Sequence, residues 1–283
     1  MARLLREGSY IPKRRFGPVH ATYTLRMSPR DNSPEVSWTQ KDLVQSPHEH
    51  AEKASRVKKM FSSIAHRYDL NNTLHSFGRD RIWRRRALKM TGVDASSEVL
   101  DVACGTGALA EAFRSAGARR VVGLDYTPAM LDVARQRARS SEFNDVEYIE
   151  GDAMALPFED ASFDVVSIAF GIRNVGDPDR AIGEFARVLR PGGRLVVLEF
   201  AQPRNRLVRF GNAVYSRHIM PRTAAIIAKD RSGAYDYLPR SIETFLDPKA
   251  LAEHIEAHGF SRTQAVAMTF GVCVATCSVR DMG

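Results

Sequence analysis

Cysteine is scarce: the chain holds three in 283 residues, Cys104, Cys273 and Cys277. The last two fall in a strand-like run, where four residues cover roughly 13 Å. A disulfide needs Cα atoms within about 7 Å, so free thiols and a reducing compartment are expected. Long apolar runs are also missing. The most apolar stretch, VVSIAFGI from Val165 to Ile172, is strand-sized, far from the 18 or so residues of a bilayer span, and the chain is not expected to cross a membrane. The eight histidines are scattered without metal-ligand spacing, so no metal is expected. No repeat is evident, and acid is nearly absent from the start: Met1 to Arg30 carries seven basic residues against Glu7.

What is present fits one folded core with appendages. Hydrophobic residues make up 44% and charged residues 26%, which suits a soluble globular chain and excludes wholesale disorder. The net charge of +8 points to an anionic partner, whether nucleic acid, an acidic membrane surface or a phosphate-bearing ligand. Residues 1–50, with Pro12, Pro18, Pro29, Pro34 and Pro47, read as a disordered basic extension. Pro12 and Pro18 interrupt the amphipathic helix of a mitochondrial transit peptide, which favours a bacterial extension and a cytoplasmic protein. Were it a transit peptide, the matrix side would be the location. Met27 is an alternative start.

Residues 51–283 read as a single domain. A helical cap over 57–92 contains RDRIWRRRALKM, Arg79 to Met90, basic and amphipathic. This run is either a solvated docking helix or a face that rests on anionic lipid with Trp83 at the interface. Over 97–200 strand-like and helix-like segments alternate, the mark of an α/β sheet. The strands are expected at Glu98 to Ala103, Arg120 to Asp125, Val146 to Glu150, Phe163 to Phe170 and Arg194 to Phe200. Thr127-Pro128, Asp177-Pro178 and Asp247-Pro248 each place a capping residue before a first-turn proline, and Pro191-Gly192-Gly193 should turn one helix into the next strand. Residues 201–246 break the alternation as an insertion. A helix and two β-rich runs within 247–280 close the chain, the runs forming an antiparallel hairpin around Thr269 to Gly271.

The chemistry concentrates at the ends of these strands. Asp101-Val-Ala-Cys-Gly105-Thr-Gly107 takes a strand into a glycine-rich turn and a helix, where backbone and helix amides can hold an anionic group. Gly105, Gly107 and Ala110 equally satisfy G-x-G-x-x-G/A, so a nicotinamide oxidoreductase stays open on these residues. Asp101 discriminates: an acid inside the strand suits a ligand bearing an ammonium beside its carboxylate. Asp125, at the second strand end, suits ribose hydroxyls. Asp152 and Ala153 follow the third strand, beside an adenine edge that Leu156-Pro157-Phe158 would wall. Amino acid, ribose and adenine together describe S-adenosylmethionine.

The central block resembles the class I S-adenosylmethionine-dependent methyltransferases, whose Rossmann-like, mostly parallel sheet ends in an antiparallel hairpin. From about Val57 to Arg280 the chain more narrowly resembles the ubiquinone/menaquinone biosynthesis C-methyltransferases. The resemblance rests on MFSSIAHRYDLNNTLHSFGRDRIWRRR (Met60 to Arg86), FGIRNVGD (Phe170 to Asp177), VLRPGGRLVVLEF (Val188 to Phe200), IMPR (Ile219 to Arg222) and YDYLPRSI (Tyr235 to Ile242). It implies cofactor contacts at Thr106, Asp125, Asp152 and Ala153, with Ala169 where a serine is frequent. It also implies methylation of a polyprenyl quinol, foremost 2-demethylmenaquinol to menaquinol, with a benzoquinol of ubiquinone biosynthesis as the alternative or second acceptor. Arg173 is the candidate to stabilise the developing phenolate, oriented by Asn174, with a salt bridge at the strand end as its competing role. Because arginine is a poor base, water or a carboxylate would take the proton. Tyr68 and Asp69 would fold over the acceptor, and His75 is a candidate base. No nucleic-acid module is seen. A quinol tail implies peripheral contact with an anionic membrane at its inner face, and a homodimer is compatible with the sequence.

Overall fold

The computed structural model describes residues 37–39, 41–223 and 233–282. The leading stretch through residue 36, Met27 included, lies outside them, as do residues 224–232 of the insertion. From Ser37 onward the chain is docked, unlike an arm reaching to residue 50. Trp38, 1% exposed, stacks on Tyr237 with ring centroids 4.8 Å apart. Ser46 caps the short helical turn Pro47–Glu49, and His48 Nε2 meets the Ser241 carbonyl oxygen at 2.9 Å.

Seven strands form one sheet: β1 (Glu98–Val102), β2 (Arg120–Asp125), β3 (Glu147–Glu150), β4 (Phe163–Ala169), β5 (Leu189–Phe200), β6 (Phe260–Met268) and β7 (Cys273–Arg280). Their order is β3-β2-β1-β4-β5-β7-β6. β1 to β5 are parallel, and β7 runs antiparallel between β5 and β6. The α/β sheet with a closing hairpin therefore matches the sequence reading. The inner strands are nearly all apolar because helices cover both faces. One face packs Val99, Val121, Val165 and Val196 under α3 (Arg79–Thr91), α4 (Ala108–Ser115) and α5 (Pro128–Arg139). The other packs Leu100, Val122, Val166 and Val197 under α6 (Pro178–Val188) and α9 (Pro248–Ala257). α1 (Lys53–Ile64), α2 (Tyr68–His75), α7 (Arg206–Val214) and α8 (Ala234–Thr244) lie on the site side, where Trp38, Met60, Met130 and Tyr237 share a third cluster.

Two of the three expected caps operate as read. Asp177 accepts from the Arg180 amide, and Asp247 accepts from the Lys249 and Ala250 amides. At α5 the Thr127 side chain makes no capping bond; its amide donates instead to the Asp125 carboxylate at 2.8 Å. Pro191-Gly192-Gly193 is not a turn ahead of the strand. It lies inside β5 as a bulge, with Leu189 paired to Phe163 and Arg194 to Val165. Trp83 does not sit at a surface. It is 4% exposed, packs against Phe170 and Phe200, and donates its indole N–H to Thr269 Oγ1 at 2.9 Å. The basic residues Arg79, Arg81, Arg85, Arg86 and Lys89 occupy the exposed side of α3. All three cysteines are free thiols.

Candidate functional site

Parallel strands converge at their carboxyl ends, which is where an open α/β sheet leaves a crevice. β1 and β4 end in left-handed residues, Ala103 (φ 50°) and Phe170 (φ 57°). Such backbone costs about 1–3 kcal/mol where the residue is not glycine, and here it swings both chains away from the sheet to open that crevice. Gly105 (φ 57°) and Gly107 (φ 83°) complete the first turn. A Cβ on Gly107 would collide with the Tyr148 hydroxyl, so α4 can begin there only from glycine.

Three cavities meet in the crevice. The first is lined by Gly105, Asp125, Asp152, Ala153 and Ala169, and a small annex by Asp101, Thr106, Ala169 and Arg84. The structure thus gathers every proposed cofactor residue except Gly107, which shapes the turn without lining it. Asp101 faces Ser167 across the β1–β4 pairing; its Oδ1 accepts from Ser167 Oγ at 2.6 Å, while Oδ2 is buried with no partner. Burial pushes its carboxyl up to about 7, against the lowering effect of the Ser167 hydrogen bond. An orphaned oxygen of this kind is expensive to bury unless a ligand donor completes it, and an ammonium fits. Asp125 accepts the Gly105 amide at 2.8 Å and the Thr127 amide at 2.8 Å, tying the glycine turn to the second strand end, and burial raises its pKa. Asp152 accepts from the Met154 amide. Leu156 and Phe158 do not wall this cavity. Leu156 is core and Phe158 packs edge-on against Phe163; Met154 and Val175 take the wall positions instead.

The other, larger cavity is aromatic and apolar, lined among others by Trp83, Phe170, Tyr235 and Tyr237, and it contains Tyr68, His75 and Arg173. Phe61, Tyr68 and Phe170 line both this cavity and the cofactor-side one, so the two adjoin across those rings. Arg173 is buried and forms the salt bridge expected as its competing role. Its Nη1 donates to Glu199 Oε1 at 2.6 Å and to the Phe170 carbonyl at 2.7 Å, and its side chain still lines the cavity. Burial raises the Glu199 pKa, opposed chiefly by the Arg173 charge.

Asn174 lines the cofactor side and is held by the Phe170 carbonyl at 3.2 Å and the Tyr237 hydroxyl, which donates at 2.8 Å. It is therefore Glu199, not Asn174, that orients the guanidinium. Asp69 points the other way: it accepts from Thr106 Oγ1 at 2.7 Å and from Arg137 at 2.9 Å, clasping α2 to the glycine turn outside the aromatic cavity. Tyr68 is half-buried, and desolvation raises its pKa. Glu199, Tyr237 and Tyr215 were missed by sequence reasoning. Glu199 had a signal, being an acid at the end of the apolar run RLVVLEF, as Asp101 is within EVLDVA.

Comparison with known proteins follows the same lines. A family model described as "ubiE/COQ5 methyltransferase family" matches residues 49–280. The chain is 45% identical over 222 residues to the demethylmenaquinone methyltransferase of Deinococcus radiodurans, covering 78% of this chain and 91% of that protein. It is 44% identical over 224 residues to the ubiquinone/menaquinone biosynthesis C-methyltransferase UbiE of Hahella chejuensis, covering 78% and 90%. Among solved structures, a chain of the complex of the Haloferax volcanii Trm112 methyltransferase activator aligns with a TM-score of 0.56 at 22% identity, covering 78% of this chain and 97% of that one. Haemonchus contortus phosphoethanolamine N-methyltransferase 2, solved with S-adenosyl-L-methionine, aligns with a TM-score of 0.54 at 18% identity over 70% of this chain and 52% of that one. These likenesses give the fold, that of the class I methyltransferases.

Proposed function

This chain belongs to the ubiE/COQ5 methyltransferase family, and from that premise we propose that it methylates a ring carbon of a reduced polyprenyl quinone, foremost 2-demethylmenaquinol to menaquinol, using S-adenosylmethionine. The observation that carries the reading is a cavity bearing Asp125 and Asp152, with an annex at Asp101 whose Oδ2 has no partner, adjoining an aromatic cavity that holds the buried Arg173 guanidinium. When bound, the cofactor supplies an electrophilic methyl group on a sulfonium. Asp101 Oδ2 would hold its ammonium, Asp125 its ribose, and Asp152 with Ala153 its adenine edge. Tyr68, Phe61 and Phe170 keep water from the junction of the cavities, and Arg173 stabilises negative charge growing on the acceptor oxygen. Only the quinol is a nucleophile, since its hydroxyl pushes electron density onto the ring carbon.

A benzoquinol as second acceptor is favoured by the likeness to the Hahella protein, whose name carries both quinones. Purified protein given labelled S-adenosylmethionine and each reduced acceptor decides the matter. Product from the naphthoquinol alone marks a dedicated enzyme, and product from both a dual one. No product from either, with cofactor bound, overturns the assignment.

The tail of such a substrate resides in a bilayer. Among the described residues no helix is long and apolar enough to cross one, and in this reading the acceptor is met at the bilayer surface. Exposed Phe77, Phe210 and Phe270 stand near the acceptor cavity: Phe77 contacts Tyr215, Phe210 follows the lining residue Arg209 on α7, and Phe270 follows Thr269, the partner of Trp83. Phe77 and Phe270 are held at φ 53° and 56°, conformations an exposed phenylalanine adopts only at a cost. Residues 201–223 add Arg204, Arg206, Arg209, Arg217 and Arg222 without one acid. An apolar rim with a cationic border fits an anionic bilayer surface.

A further inference from the structure

His75 sits at the end of α2 with its side chain in the acceptor cavity. The Tyr215 hydroxyl donates to the His75 carbonyl oxygen at 3.2 Å, and the same hydroxyl lies 3.4 Å from His75 Nδ1. A phenol has one proton to give. Once that proton is on the carbonyl, the tyrosine oxygen can only accept, so the tautomer that satisfies both contacts carries its proton on Nδ1. Nε2 is then a bare lone pair, and it is buried with no hydrogen-bond partner. An unpartnered basic nitrogen on a side chain that lines the same cavity as Arg173 is a site prepared for a donor.

We propose that His75 Nε2, set in its accepting tautomer by Tyr215, takes the hydroxyl proton of the quinol as the ring carbon is methylated. The inference rests on the quinol reading above. As the carbon–carbon bond forms and the carbon–sulfur bond breaks with its electron pair left on sulfur, the acceptor hydroxyl becomes strongly acidic. Its proton passes to Nε2, leaving a neutral dienone whose methylated carbon still bears hydrogen. Water removes that hydrogen as a proton, the ring regains aromaticity, and the imidazolium returns its proton to the oxygen. One proton is released in all.

A weak base suffices, because the hydroxyl acidifies only as the bond forms. Burial lowers the His75 pKa below its ordinary 6.5, so the ring is neutral and accepting at neutral pH. The titratable groups around it are Tyr215 and, with ring centroids 5.4 Å away, Tyr235. The charges lining the same cavity are largely committed: Asp80 to Arg84 at 2.7 Å, Glu243 to Arg217, Arg209 to the Pro203 carbonyl, and Arg173 to Glu199.

The test has two readouts. Nitrogen-15 histidine NMR on the cofactor-free protein should show His75 protonated on Nδ1, bare on Nε2 and titrating below its ordinary value, and Tyr215→Phe should erase the tautomer preference. In methyl transfer, kcat should fall about 10²–10⁴-fold in His75→Gln, with cofactor affinity unchanged and the acid limb of the pH profile gone. In His75→Ala, added imidazole should restore turnover. If the wild type methylates quinol and His75→Gln does so at the same rate with the same acid limb, or if Nδ1 is the bare nitrogen, the proposal is overturned. A wild type that methylates no quinol overturns the functional reading instead, while the NMR result still reports on the tautomer.

Discussion

Asp101 is the residue on which the proposed cofactor recognition turns, and its protonation would link binding to pH. Its ordinary carboxyl value of 3.8 is raised to about 7 by burial, so between those values the folded, cofactor-free protein holds a proton that the unfolded chain has lost. The stability this group contributes is therefore full below about pH 4 and fades as pH rises through about 7. An ammonium reverses the preference, since it favours the carboxylate and expels the proton. Calorimetric affinity for S-adenosylmethionine should rise several-fold from about pH 6 to about pH 7.5. Asp101→Asn should weaken binding about 10–100-fold and flatten that rise, while the cofactor-free variant stays folded. A flat wild-type profile would remove Asp101 from the ammonium site. At this scale the sequence was most legible where a polar residue interrupts an apolar strand. Asp101 stands out by that rule, and Glu199, which obeys the same rule, orients Arg173. What the sequence could not reveal was direction: Asp69 turns towards Thr106 and Arg137, and Asn174 towards Tyr237, because side-chain aim is set by partners far along the chain.

The elements were legible wherever their signals were local. Apolar runs marked the strands, and aspartate before proline marked the starts of α6 and α9. Nonlocal pairing decided the rest. Pro191-Gly192-Gly193 signals a turn locally, yet the pairing of Leu189 with Phe163 pulls it into β5 as a bulge. Trp38, in a proline-bearing, weakly periodic stretch, finds its partner Tyr237 about two hundred residues later. That stacking clasps the amino-terminal segment onto α8, whose Tyr237 both lines the acceptor cavity and holds Asn174. Trp38→Ala should cost about 3–5 kcal/mol, read as a lowered Tm, and should raise KM for the quinol more than for the cofactor. A variant that melts with the wild type would show that the clasp is not structural.

For the molecule as a whole, the proposal of a membrane-facing rim rests on exposed Phe77, Phe210 and Phe270 together with the arginines of 201–223. Sedimentation with vesicles should show binding that requires anionic lipid and weakens with salt. Inserting a phenylalanine is worth about 1.5–3 kcal/mol, so the combined change Phe77→Ser, Phe210→Ser and Phe270→Ser should reduce partitioning at least ~100-fold without lowering affinity for S-adenosylmethionine. Binding indifferent to both lipid charge and these rings would place the membrane contact elsewhere or nowhere.

The central claim, that two adjoining cavities bring a methyl donor to a quinol ring carbon, has its most direct test in one acceptor offered in two redox states. With labelled S-adenosylmethionine, demethylnaphthoquinol should yield ring-methylated product while the oxidised quinone yields none. Equal labelling of both forms, or label on oxygen instead of carbon, would contradict it.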